Sequence, residues 1–202
     1  MFFTYSSQAS DNQISESCSI LILGDSLSAS FGMKESQGWV YQLNQVLHQE
    51  KAPYILVNAS ISGETTAGGL SRLPRILAKQ NIDYLLIELG GNDGLRGFPP
   101  SLIKNNLLQI IQLAQQKGIK VLLMDIIIPP NYGARYNKLF NQTFTKVANA
   151  SGIHLLPFFM ESIALQPELM QLDGIHPNIK AQPIIVTFMK QQLDTLVTSS
   201  LK

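Results

Sequence analysis

Ser26 stands just past an apolar run, in "LILGDSLSAS" from Leu21 to Ser30, and a serine placed there can do one of two things. It can cap the helix that follows, because Asp and Ser after a strand are what a helix N-terminus asks for. It can also be a nucleophile held out at the edge of a sheet, but only with help. A serine hydroxyl is too weakly acidic to attack a carbonyl unless a neutral imidazole lies within hydrogen-bond reach. The surroundings are not the Gly-x-Ser-x-Gly nucleophile elbow either, since Ser28 stands where its second glycine would be. The base has to come from elsewhere in the chain.

Of the three histidines, His48 falls at the end of a predicted surface helix and His154 in the short strand of "GIHLLPFF". A solvated or packed ring explains both. His176 differs. It sits in "LDGIHPN", a turn built by Gly174 and Pro177, with Asp173 three residues upstream. In a tight turn that carboxylate can accept a proton from the imidazole, orienting the ring and stabilising its charged form. Taken alone, the heptapeptide fits equally well an aspartate that caps the last helix or shapes the turn.

Attack on a carbonyl also needs donors preset where the oxyanion will develop. In "NASISGETT", Gly63 can present a backbone N–H with no Cβ in the way. In "ELGGNDG", Asn92 can offer its side-chain amide. Each loop is also ordinary turn sequence. Glu88, inside the apolar run "YLLIELGG", must find hydrogen-bond partners and suits a buried structural role. Asp25 and Asp93 are expected to hold their loops by accepting from backbone N–H groups. In "GLRGFPP", Leu95 and Phe98 lie beside Asn92, where apolar loop residues make natural walls for an acyl chain. Ile175, beside His176, is a further candidate for that wall.

The elements that must position these residues follow from the pattern. Short apolar runs alternate with amphipathic stretches from Ser19 onward, the form of repeated strand-helix-strand units with a parallel sheet. Strands are predicted at Ser19 to Leu23, Tyr54 to Asn58, Tyr84 to Glu88, Lys120 to Ile126 and Ile153 to Leu155. Three helical faces are marked by Trp39, Val40, Leu43, Val46 and Leu47, by Ile103, Leu107, Ile110, Ile111 and Ala114, and by Ile185, Phe188, Met189 and Leu196. Gly118 should stop the second. Right-handed crossovers then leave few arrangements of a three-layer α/β/α sandwich, and the strand order 2-1-3-4-5 is expected. Its crevice opens between the carboxyl ends of the first and third strands. Ser26 lies just past one and Asn92 just past the other.

Composition narrows the partners. A chain of 202 residues with 45% hydrophobic residues makes one domain, and a net charge of +1 gives nothing to attract nucleic acid. Cys18 is the single cysteine, so neither an internal disulfide nor a zinc site is expected. The longest apolar stretch, around Val121 to Ile128, is interrupted by Asp125 and ended by Pro129-Pro130, so stable membrane insertion is not expected. Residues 1–18 are polar after Phe3, with neither a cationic start nor the apolar core of a secretory signal, and read as a flexible arm before a single domain at 19–202.

Together, "GDSLS", "SGET", "GGND" and "DGIHPN" resemble, in order, the blocks of the SGNH (GDSL) hydrolases. "NASISGETT", "IELGGNDGLRGF" and "LLPFF" are most similar to the branch of bacterial multifunctional acyl-CoA thioesterases, also described as arylesterases and lysophospholipases. The resemblance spans roughly Ser19 to Leu196. It implies a flavodoxin-like fold, no metal or organic cofactor, and a small acyl substrate cleaved through an acyl-enzyme. It assigns the nucleophile to Ser26, the base to His176 and the orienting acid to Asp173. The oxyanion hole falls to the Ser26 and Gly63 N–H groups and the Asn92 side chain. A monomer is expected. The exported family members imply a periplasmic or secreted protein, while the absence of a visible signal peptide leaves the cytoplasm open. Ser30 departs from a glycine common in the family. The rival readings are a carbohydrate or small-molecule acetylesterase, which a long acyl groove would oppose, and a non-catalytic flavodoxin-like binding module with "GDSLSAS" as a phosphate loop. The second leaves Asp173 and His176 unexplained and lacks the glycine spacing of nucleotide loops.

Overall fold

The computed structural model describes residues 17–200, the last three of them by backbone alone. Five strands, β1 (Cys18–Gly24), β2 (Tyr54–Asn58), β3 (Tyr84–Glu88), β4 (Lys120–Met124) and β5 (His154–Leu156), pair in the order β2-β1-β3-β4-β5. Every neighbouring pair is parallel. The order is the one expected from the sequence. Residues 1–16 of the expected arm lie outside the described residues, and Cys18 already belongs to β1. β4 ends two residues before the predicted Ile126 because the chain turns away at Asp125, whose own side chain takes the Ile126 N–H at 3.0 Å. The Pro129-Pro130 pair beyond has no N–H to give a neighbour.

Helices α1 (Trp39–Gln49), α2 (Thr66–Leu77), α3 (Gly91–Leu95), α4 (Pro100–Gln115), α5 (Ala134–Ser151) and α6 (Gln182–Ser200) fill the connections. α1 packs with α6, while α4 packs with α2 and α5, giving the helical layers on the sheet's faces. Strands covered on both faces must be apolar throughout, and Ile20 to Leu23 of β1 and Leu85 to Ile87 of β3 are wholly buried. The edge strand β2 instead leaves Ile55 exposed. The three helical faces read from the sequence meet this core, Val46, Phe188 and Leu196 being half-buried at its margin. After α4 the Gly118 N–H returns to Gln115 and the Ile119 N–H to Ala114, which releases the chain into β4. β1 lies between the edge strand β2 and the central strand β3, and the winding reverses there. The loops after β1 and β3 open side by side at its carboxyl end.

Candidate active site

The loop carrying Ser26 is folded by its own backbone. β1 ends on Gly24, where a Cβ would come within 2.6 Å of Glu88 Oε2 and 2.7 Å of Ser60 Oγ. Only glycine lets β3 and the loop after β2 close in there. Asp25 Oδ1 accepts the Leu27 N–H at 3.1 Å, and its carbonyl accepts the Ala29 N–H at 2.9 Å. The turn tightens over Ser26, which is nearly buried. Ser30 holds φ at +60°, in the left-handed region that favours glycine.

The loop carrying His176 is a small hairpin. Met170 bridges Pro177, and the Gln171 N–H donates to the His176 carbonyl at 2.8 Å. Asp173 Oδ1 accepts the N–H groups of Ile175 (2.9 Å) and His176 (3.0 Å). Its Oδ2 lies 2.7 Å from His176 Nδ1, and His176 Nε2 lies 2.9 Å from Ser26 Oγ. An unbroken chain of hydrogen bonds thus runs from Asp173 through His176 to Ser26. Burial works against the ionised Asp173. The backbone N–H and ring of His176 and the N–H of Ile175 outweigh it, holding the carboxyl down at about 2. His48 and His154 are exposed and take no part.

Two residues that the pattern did not mark fasten the loops together. Gln171 Nε2 donates to the Phe31 carbonyl at 2.8 Å and to the Pro177 carbonyl at 3.1 Å, tying the Ser26 loop to the His176 loop. The Phe31 ring lies 4.2 Å, centroid to centroid, from that of His176. Asn178, quoted in "DGIHPN" but given no role, donates to the Glu168 and Met170 carbonyls and caps the turn that leads into α6.

Asn92 reaches the crevice from α3, its Nδ2 donating to Asp25 Oδ2 at 3.0 Å. Asp93, next along, is buried and accepts from the Thr66 N–H (2.9 Å) and hydroxyl (2.6 Å), which fixes α3 against the start of α2. Gly63 has φ at +79° and its carbonyl accepts from Arg96 at 3.1 Å. Among the described residues, nothing accepts the N–H of Ser26 or Gly63.

An open crevice of about 690 Å³ runs past Ser26, Asn92 and His176. Leu95 and Ile175 line it and Phe98 does not. The chain turns at Gly97, with φ at +68°, and Tyr136 of α5 holds the Phe98 carbonyl at 2.7 Å, drawing the residue away. The rest of the wall comes from loops not foreseen: Ile127 and Ile128 after β4, Met160 and Leu165 after β5, and Met170. The only signal for them in the sequence is the Pro129-Pro130 stop after an apolar run. Among the described residues no cluster of metal-ligating side chains exists, and no helix is long and apolar enough to cross a membrane.

The model of the GDSL-like lipase/acylhydrolase family matches residues 22–182. The chain belongs to this family. Among GDSL-like relatives, an arylesterase of Vibrio mimicus is 44% identical over 96% of the chain and 94% of its own length. A thioesterase 1/protease 1/lysophospholipase L1 of Escherichia coli K12 is 48% identical over 88% of the chain and 84% of its own. The solved structure of the psychrotrophic esterase EstA from Pseudoalteromonas sp., inhibited by monoethylphosphonate, superposes with a TM-score of 0.88 at 44% identity, covering 89% of this chain and 98% of that one.

Proposed function

We propose that the protein hydrolyses acyl esters and thioesters, among them aryl esters, acyl-CoA and lysophospholipids, with Ser26 as nucleophile. Support comes above all from the hydrogen-bonded chain from Asp173 to Ser26, with its 2.7 and 2.9 Å links. His176 Nε2 takes the proton as Ser26 Oγ attacks the carbonyl, and Asp173 stabilises the imidazolium. The Ser26 and Gly63 N–H groups and Asn92 Nδ2 hold the oxyanion. Collapse of the tetrahedral adduct sends the proton from His176 to the departing alcohol or thiol. The acyl group stays on Ser26. Water then repeats the sequence, giving the carboxylic acid and free Ser26.

An apolar crevice of about 690 Å³ favours acyl chains over a simple acetyl group. The shared site of Ser26, His176 and Asp173 is more than a binding module needs. By the family resemblance, the protein acts as a monomer on small acyl substrates, in the periplasm or outside the cell. Rates on p-nitrophenyl esters and acyl-CoAs of rising chain length test the reading. Turnover that depends on Ser26 and extends to long chains is expected. Activity confined to acetyl esters would replace it with an acetylesterase, and inactivity on the whole panel would discard hydrolysis.

A further inference from the structure

Glu88, read from the sequence as structural, ends β3 with no exposure to solvent. Its neighbours are the Asp25 carboxyl, the Asp25 N–H at 3.3 Å and the Ser28 hydroxyl at 2.8 Å, both of these donating to Oε2. No cation is among them. Asp25 is itself almost fully buried. Two carboxylates buried side by side repel each other, and a single proton between them removes most of that cost.

Burial raises both carboxyls and each accepts two hydrogen bonds, so it is the placing of the donors that separates the two groups. Asp25 accepts from the Leu27 N–H on Oδ1 and from Asn92 Nδ2 on Oδ2, contacts that favour an anion. Both Glu88 donors fall on Oε2, and among the described residues Oε1 meets none, which leaves that oxygen free to carry the proton. Burial, and then the neighbouring Asp25, push the Glu88 carboxyl well above the ordinary range.

The location of the proton matters for Asn92. A side-chain amide can face Asp25 with its nitrogen or with its oxygen. An anion accepts only from the nitrogen, whereas a protonated Asp25 could donate to the oxygen and let the amide turn over. The Nδ2 hydrogen left free for an oxyanion would then point elsewhere.

We propose that Glu88 is a positioning residue for the oxyanion hole: as the neutral member of the pair it keeps Asp25 an anion, and Asp25 holds the Asn92 amide with its nitrogen toward the reacting carbonyl. This rests on the oxyanion role given to Asn92 above.

Infrared spectroscopy of the native protein at neutral pH, paired with kinetics, tests it. The native spectrum should contain a protonated carboxylic acid C=O band that Glu88→Gln removes. Glu88→Gln, which is neutral and can donate to Asp25, should keep most of kcat. Glu88→Ala should lose about tenfold or more in kcat with little change in KM, as expected of a donor that acts in the transition state. Asp25→Asn and Asn92→Ala should each lose about 10²-fold, and the double variant no more than either. A native spectrum without the band, a band that survives Glu88→Gln, or a Gln variant as slow as the Ala variant would overturn the assignment. Should Glu88→Ala fail to fold, the band and the Gln variant decide. Near-native kcat in Asn92→Ala would instead remove the oxyanion reading on which the proposal stands.

Discussion

Replacing Ser26 or His176 with alanine should abolish nearly all turnover without unfolding the protein, since neither side chain belongs to the apolar core. Groups that act as a unit lose most of their effect when one is removed, so the double variant should be about as slow as either single one. Its residual advantage over water should be roughly 10³-fold. Single-turnover assays on an activated ester, with circular dichroism for the fold, check this. Asp173 makes the stability of the fold depend on pH. Its partners hold the native carboxyl at about 2, below an unfolded aspartate. The stability it contributes is therefore fully present above the ordinary carboxylate range and is lost as pH falls through about 2. Asp173→Asn should be less stable than the native chain near neutrality in urea unfolding, and the gap should close in acid. A gap independent of pH would mean that the ionised form gains nothing from its partners. At this scale the serine, histidine and aspartate were legible because few residue types can perform their chemistry. Phe31 and Gln171 were not, because an aromatic ring and a neutral amide acquire meaning only from what tertiary structure sets against them.

The segments at the carboxyl ends of the strands line the crevice unequally. Leu95 faces the crevice and Phe98 does not, so trimming them should differ in kind. Leu95→Ala should lower kcat/KM for decanoyl esters more than for acetyl esters, by up to about 0.8 kcal/mol for each methylene that loses burial. Phe98→Ala should leave chain-length preference alone. If the two variants gave the same chain-length profile, Leu95 would not be a wall. Gln171→Ala should free the Phe31 and Pro177 carbonyls that it joins, lowering kcat through a looser Ser26–His176 contact while leaving chain-length preference unchanged. An unaltered kcat would show that the stacked rings keep the loops together alone. The strands were legible as elements because burial on both faces demands unbroken apolar runs. α2 was harder to name, with Gly68, Gly69 and Pro74 inside it, residues that a helix disfavours. The far wall of the crevice was not legible, because residues distant in sequence build it from loops with no periodic signal.

At the scale of the whole molecule, sheet order was readable from the alternation of elements, since chirality and short connections leave few topologies. Which side chains would meet across the sheet was readable only where motif residues lay at strand ends. The same topology divides the reacting groups widely along the chain: Ser26 and His176 are separated by 150 residues and still bond at 2.9 Å. During synthesis, therefore, the nucleophile emerges 150 residues before its base. The hairpin that carries the base is tied through Asn178 and Gln182 to α6 and to the Trp39 N–H of α1. A nascent chain arrested before Asp173 should be unable to cleave an ester however well its sheet has formed. In refolding from urea, recovered turnover should trail the return of far-UV dichroism, reporting the final docking of the C-terminal segment. Catalysis would then serve as an assay for completed folding, and simultaneous recovery of the two signals would show that the sheet and its last helix assemble in one step.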